Sequence, residues 1–419
     1  MLQMTKKAFI YLSSICSKQN LDAARISDYL IKNGYQIINN PRKADLILLC
    51  TCAVTNEKAK NSLDAVKKLK NYKGELIVSG CLPAMDKEDL DEIFKGKKII
   101  TKDIEQLDQF FKDHKIKITE IKDANKPLIN VEGGLVWTIK KIFKHSGPLA
   151  KIYLKIRNYI YVRFFEKKFI YNEASQEIKN SYHIRISRGC LGNCSYCAIK
   201  KAIGSLKSKP LEQILDEFKE GLKLGFKNFL IVADDIGAYG IDIGTNFPTL
   251  LNELTSIEGN YQIELEESHP DWIVKYKDEF GKILEKGKIN KICIPIQSGS
   301  ERILKLMNRY SDIDKIKQSI ITAKKANPTL LVGTNLIIGF PTETEGDFEK
   351  TIEVLRLMRF DYGTIFSFSI KKNTRAEEIE PKISEEEIKK RMKIVEEFLK
   401  QNGYQFFNYK AAIMFFSTY

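Results

Sequence analysis

Eight cysteines occur in this 419-residue chain, and most of them fall into two sets of three. The tighter set is Cys190-Leu-Gly-Asn-Cys194-Ser-Tyr-Cys197, which follows Gly189 and a short strand-like run over residues 183–188. Three thiolates on one tight loop can ligate three irons of a [4Fe–4S] cube and leave the fourth iron without a protein ligand. A zinc knuckle needs a fourth cysteine or histidine close by. The nearest histidine, His183, precedes the loop on the strand. The donor count therefore points to a cluster with one open iron.

The second set, Cys16, Cys52 and Cys81, is scattered in sequence, so its meaning depends on the elements around it. Residues 7–12 read as a strand, 21–33 as an amphipathic helix stopped by Gly34, and 35–38 as a strand. Residues 44–49 form a nearly continuous apolar strand, 57–69 a helix and 75–79 another strand. This alternation implies a doubly wound parallel sheet. Cys16, Cys52 and Cys81 follow its first, third and fourth strands, and strand ends of one polarity share a rim. They are expected to converge there as ligands of a second [4Fe–4S] cluster. Cys50, otherwise a spare ligand, and Cys293, inside an apolar strand, are read as core thiols.

From residue 183 the alternation resumes in six βα units, with strands at 183–187, 228–233, 262–266, 291–296, 331–338 and 364–370. Six units make an open, partial (βα)6 barrel, whose ligands sit at the carboxyl ends of strands. Cys190 follows the first strand, Asp234 and Asp235 the second, Gln297 and Ser298 the fourth, and Gly339 the fifth. The expected organisation is an α/β domain over 1–105, a basic, aromatic linker over 106–180, the barrel over 181–405 and a tail over 406–419. Within the linker, the stretch 151–168 interleaves Lys and Arg with Tyr and Phe. It reads either as a cover for the domain junction or as a surface that grips RNA or a membrane.

Composition narrows the classes. There is no run of 18 apolar residues, hence no spanning helix, and the amino terminus lacks a signal-peptide layout. A cytoplasmic location is expected, where cysteines serve as metal ligands more often than as disulfides. The net charge of +14, from 68 Lys plus Arg against 54 Asp plus Glu, favours a polyanionic partner such as RNA.

The Cys190 triplet, with Tyr196 just before its last cysteine, resembles the radical S-adenosylmethionine superfamily. The runs Cys52-Ala-Val-Thr-Asn and Ser79-Gly-Cys81-Leu-Pro extend the likeness to the methylthiotransferase family of radical enzymes. So do Pro295-Ile-Gln-Ser-Gly-Ser-Glu301 and Gly339-Phe-Pro-Thr-Glu-Thr344. The run Asp235-Ile-Gly-Ala-Tyr-Gly-Ile-Asp-Ile-Gly244 is most like the branch that modifies threonylcarbamoyladenosine in tRNA. The resemblance implies a flavodoxin-like domain with an auxiliary cluster, a radical barrel, and S-adenosylmethionine as co-substrate. It implies insertion of a methylthio group into an unactivated C–H bond, at carbon 2 of a modified adenosine, with tRNA as partner. One branch of the family acts on a ribosomal protein, so a protein or peptide substrate is the alternative. An electron donor such as flavodoxin or ferredoxin and a sulfur donor are implied as well. Asp234 and Asp235 would then meet the methionine ammonium, Gln297 and Ser298 the ribose, and Gly339 the adenine. Gly299 would let the backbone approach a ligand, and His269 is read as a turn residue.

Three departures from the family pattern stand out. The residues after 405 are too few for the family's carboxyl-terminal TRAM barrel. Lys371-Lys-Asn-Thr374 replaces an Arg-x-Gly-Thr turn. The third barrel strand, Glu264-Leu-Glu266-Glu267, is acidic where an arginine is usual.

Overall fold

The computed structural model describes residues 6–14, 16–111, 114–128, 181–409 and 411–417. Its first sheet comprises β1 (Lys7–Leu12), β2 (Gln36–Ile37), β3 (Leu46–Thr51), β4 (Glu75–Gly80) and β5 (Lys97–Ile100). The order is β2-β1-β3-β4-β5 and every pairing is parallel, the flavodoxin-like arrangement. All of β3 is buried, as expected of a central strand covered by helices on both faces. β5 escaped the sequence reading because Lys97 and Lys98 leave it only two apolar residues. The first helix runs Ser17–Lys32 and starts four residues earlier than its apolar period indicates. Its opening turn is polar, yet Gln19 and Asn20 are buried. Cys16 becomes the extended residue at the helix start.

The second sheet contains β6 (Tyr182–Arg185), β9 (Asn228–Val232), β10 (Gln262–Glu267), β11 (Ile289–Cys293), β12 (Leu331–Ile338) and β13 (Tyr362–Ser367). Between β6 and β9, the short pair β7 (Ser187–Arg188) and β8 (Lys207–Ser208) is antiparallel. The six long strands are parallel neighbours, which makes the expected partial barrel. The period of two is visible in β10. Ile263 and Leu265 face the helices in the main core, while Glu264 and Glu266 occupy the inner face. Residues 406–417 are not a tail. β14 (Tyr404–Tyr409) and β15 (Ala412–Ser417) form a hairpin that pairs antiparallel with β13, and Ile413 and Phe415 enter the core. Among the described residues, no helix is long and apolar enough to cross a membrane.

The boundary expected at residue 105 also moves. Leu107, Ile118 and Ile121 pack into the core of the first domain, so the chain up to Asn125 belongs structurally to the junction. The basic stretch 151–168 lies outside the described residues. At the junction, Asp22 of the first helix meets Arg185 of β6 at 2.7 Å and Arg188 at 2.8 Å. Asp123 meets Arg188 at 3.1 Å, Lys209 at 3.4 Å and Arg25 at 3.8 Å. Burial alone would raise the Asp123 carboxyl, but the Arg185, Arg188 and Lys209 charges outweigh it and hold the group well below the usual carboxylate range.

Removing one partner from a buried ion cluster strands the others. Asp123→Asn is therefore predicted to cost roughly 3 kcal/mol at pH 7. Because the folded-state pKa is depressed, the Asp123 contribution is complete at neutral pH. It begins to decline below about pH 4, the unfolded value, and is lost only as pH falls through the much lower folded-state value. Urea denaturation across pH 3–7 should show a steady gap between wild type and variant near neutral pH that only begins to narrow toward pH 3.

Candidate active site

The Cys190–Cys197 loop leaves β7 through Gly189, whose φ of +77° suits glycine and whose Cα lies against the Ser205 carbonyl, where a Cβ would clash. The Gly189 N–H donates to Asp234 Oδ2 at 2.7 Å, and the Ser195 N–H donates to the Met307 carbonyl at 2.9 Å. The Ala376 N–H in turn donates to the Ser195 carbonyl at 2.9 Å, so the loop is pinned from three elements. Gly192 lies between two thiols. Its N–H donates to Cys190 Sγ at 3.1 Å, and a Cβ there would stand 3.2 Å from Cys190 Sγ and 3.8 Å from Cys194 Sγ. The three thiols are half-buried.

Their electrostatic surroundings differ. Burial and the Asp235 charge push the Cys190 thiol up to about 12. Burial also opposes ionisation of Cys194, but a hydrogen bond with His269 and the Arg309 charge outweigh it and bring the thiol down to about 7. Cys197 is raised by burial, against backbone N–H donors from Ile199 and Lys200.

The second set converges because β1, β3 and β4 are neighbours in the sheet. Adjacent strands lie about 4.8 Å apart, so residues that follow their carboxyl ends share one edge. Gly80, at φ +110°, lies so close to Thr51 that a Cβ would clash with the Thr51 carbonyl, which brings the Cys81 turn beside Cys52. Ser62 Oγ and Ser13 Oγ accept the Cys52 N–H at 3.1 and 3.2 Å, and Gln19 Nε2 reaches Cys81 Sγ at 3.8 Å. Burial raises Cys16 and Cys81, and the Cys52 charge adds to both. Cys50 is buried in the core, its thiol pushed up to about 12 by burial.

Cys293 departs from the reading as a core residue. It is half-buried on the inner face of β11, where the Glu266 and Glu267 charges act on it. Those acids explain the unusual third strand. Glu266 accepts from Ser17 Oγ and pairs with Lys18 at 3.5 Å, so the strand docks the start of the first helix beside Cys16. The altered turn is accounted for likewise. Lys371 pairs with Asp86 at 3.6 Å, Lys372 with Asp89 at 3.1 Å, and Asn373 takes φ +59°, which asparagine tolerates.

The expected S-adenosylmethionine contacts divide. Asp234 is partly exposed, braces Gly189, and lies within electrostatic reach of Cys81 and Lys18. Asp235 is buried, with Oδ1 accepting the His269 N–H at 3.1 Å and Oδ2 the Trp272 indole at 2.8 Å. Gln297 has φ +77°, and both its backbone groups bond to β12. Ser298 is fully buried, 3.3 Å from Thr351 Oγ1. Gly299 makes its close approach to the backbone of Lys350, not to the cleft, and Gly339 makes room for Ile388. Arg309 and the ring of His269 were missed because neither sits in a cysteine run or at the end of an apolar strand.

Among the described residues, no three His, Cys, Asp or Glu side chains are set to hold a single metal ion. The donor chemistry fits clusters: two thiol triplets, N–H groups turned to sulfur, and glycine where a side chain would intrude between Cys190 and Cys194.

Residues 184–355 match the family model described as "Radical SAM superfamily", and residues 10–102 match "Uncharacterized protein family UPF0004". The fold and both matches define a radical S-adenosylmethionine enzyme with an amino-terminal α/β domain. Its curated relatives are more particular. The "Probable threonylcarbamoyladenosine tRNA methylthiotransferase" of Methanocaldococcus jannaschii is 30% identical over 411 residues, 96% of this chain and 85% of that protein. The "Ribosomal protein uS12 methylthiotransferase RimO" of Pelobacter propionicus is 30% identical over 397 residues, 92% of this chain and 79% of that protein. The chain belongs to the radical S-adenosylmethionine methylthiotransferase family, whose cofactors are [4Fe–4S] clusters and S-adenosylmethionine. A solved radical S-adenosylmethionine methyltransferase, TsrM from Kitasatospora setae, shares the fold, with TM-score 0.58 and 10% identity over 97% of this chain and 82% of that one.

If each triplet holds its own cluster, replacing Cys16, Cys52 and Cys81 by Ala should leave about half the iron and sulfide after anaerobic reconstitution. Replacing Cys190, Cys194 and Cys197 should do the same, while Cys50→Ala and Cys293→Ala should retain all of it. Iron and sulfide assays on the purified variants make the comparison.

Proposed function

We propose that this methylthiotransferase acts on tRNA and places the methylthio group on carbon 2 of a threonylcarbamoyladenosine-type nucleoside. The observation that carries the reading is the likeness to the M. jannaschii relative, which spans 96% of this chain. The net charge of +14 agrees with a polyanionic substrate. The second reading, a ribosomal-protein substrate, rests on the RimO relatives of equal identity.

Cys190, Cys194 and Cys197 would hold the cluster whose open iron binds S-adenosylmethionine, and Cys16, Cys52 and Cys81 would hold the auxiliary one. Bound together, the clusters and S-adenosylmethionine supply the radical cleavage of the C–H bond and the sulfur that replaces the hydrogen. The chain's own part is placement. Asp234 holds the first loop through Gly189 and keeps a carboxylate beside it for the methionine ammonium. Asp235 serves differently, as the brace for Trp272 and the His269 backbone. Gln297 is offered to the ribose from a backbone held at positive φ by its pairing to β12. Lys18 and Glu266 keep the Cys16 turn against the barrel's inner face.

Mass spectrometry on a deletion strain tests the substrate. The 2-methylthio derivative of threonylcarbamoyladenosine should vanish from tRNA digests and its unthiolated precursor should accumulate, with ribosomal protein uS12 unchanged in mass. Loss of a methylthio group from uS12 with tRNA unchanged would replace this reading by the second one.

A further inference from the structure

We propose that Arg309 and His269 act on the barrel cluster through Cys194, as positioning residues that raise its reduction potential. This rests on Cys194 being a cluster ligand, and iron content separates failure of that assignment from failure of the proposal.

Arg309 Nη1 and His269 Nε2 both stand 3.7 Å from Cys194 Sγ. Each is fixed independently of the sulfur. Arg309 follows Asn308, whose φ is +53° and whose Nδ2 donates to the Asn193 carbonyl at 2.8 Å. Its backbone N–H donates to the Leu304 carbonyl at 2.9 Å, and Nη2 donates to the Pro295 carbonyl at the end of β11. His269 donates its backbone N–H to Asp235 and sets Nδ1 3.2 Å from Asp271 Oδ1, which turns Nε2 toward Arg309 and the sulfur. A guanidinium serving only to brace Pro295 would need Nη2 alone. Here the fork brings its other arm to the thiol as well.

Among the described residues no cation reaches the other two sulfurs at hydrogen-bond range, although the Arg309 charge is also felt at Cys197. Cys190 takes a backbone N–H and sits near Asp235, and Cys197 takes backbone N–H groups. The cation is therefore in direct contact with one corner of the triplet, at Cys194. A reduced cluster has one more negative charge than an oxidised one, so a fixed cation whose N–H points at a ligating sulfur favours reduction, and His269 Nε2, accepting from Arg309 Nη1, helps hold it there.

The test is an anaerobic redox titration of the reconstituted full chain, following the electron paramagnetic resonance signal that changes on addition of S-adenosylmethionine. Arg309→Gln should keep its iron yet lose about tenfold in the equilibrium constant for reduction, about 59 mV for one electron. Arg309→Lys should recover part of that loss, and His269→Leu should shift the potential in the same direction by less. Full-iron Arg309→Gln and His269→Leu proteins that titrate with the wild type would overturn the proposal. If Arg309→Gln loses iron because Pro295 is released, His269→Leu decides, a lowered potential supporting the proposal and an unchanged one overturning it. Full iron in the Cys190, Cys194, Cys197 triple variant would overturn it at the ligand assignment.

Discussion

The ion pairs that tie one helix of the first domain to two strands of the second set the relation between the two thiol triplets. Asp22 binds Arg185 of β6, and one turn earlier Lys18 binds Glu266 of β10. Pairs of this kind add modestly to stability when intact and cost several kcal/mol when one member is lost, so they specify a docking geometry more than they strengthen it. Cys16 lies two residues before Lys18 and so takes its position from that docking. Asp234 completes the relation, with one oxygen on the Gly189 N–H of the barrel loop and its charge felt at Lys18 and Cys81.

This arrangement also explains why the thiols are built as they are. Burial raises Cys16, Cys81, Cys190 and Cys197, and binding iron requires the thiolate, so loading a cluster there releases protons. Cys194 is lowered instead, facing Arg309 and His269. Backbone N–H groups stabilise the barrel sulfurs, glycine at position 192 keeps bulk from between them, and the Ser13 and Ser62 hydroxyls hold the Cys52 backbone in place.

Much of the fold and both triplets were legible in the sequence. Apolar strands alternating with amphipathic helices fixed the polarity of each sheet, and cysteines just past strand ends then had to share a rim. What escaped was whatever depends on contacts between distant segments. The polar turn Ser17–Asn20 is held by distant partners, Ser17 and Lys18 by Glu266 of the barrel and Gln19 by Thr51 and Cys81 of its own domain, and not by its own periodicity. The acids of β10 look like substrate contacts until Lys18 and Ser17 are seen to reach one of them. Gly299 and Gly339 looked like ligand cradles, yet each admits a neighbouring helix instead. Arg309 carries no local signal at all, since it reaches Cys194 only through the turn at Asn308.

The central claim is that two thiol triplets divide one reaction, the barrel set cleaving S-adenosylmethionine and the Cys16 set delivering sulfur. The most direct measurement is product analysis of the full-length Cys16→Ala, Cys52→Ala, Cys81→Ala protein with a strong chemical reductant and tRNA. The account predicts continued formation of 5′-deoxyadenosine with no methylthiolated nucleoside. Methylthiolated product at the wild-type level would contradict it.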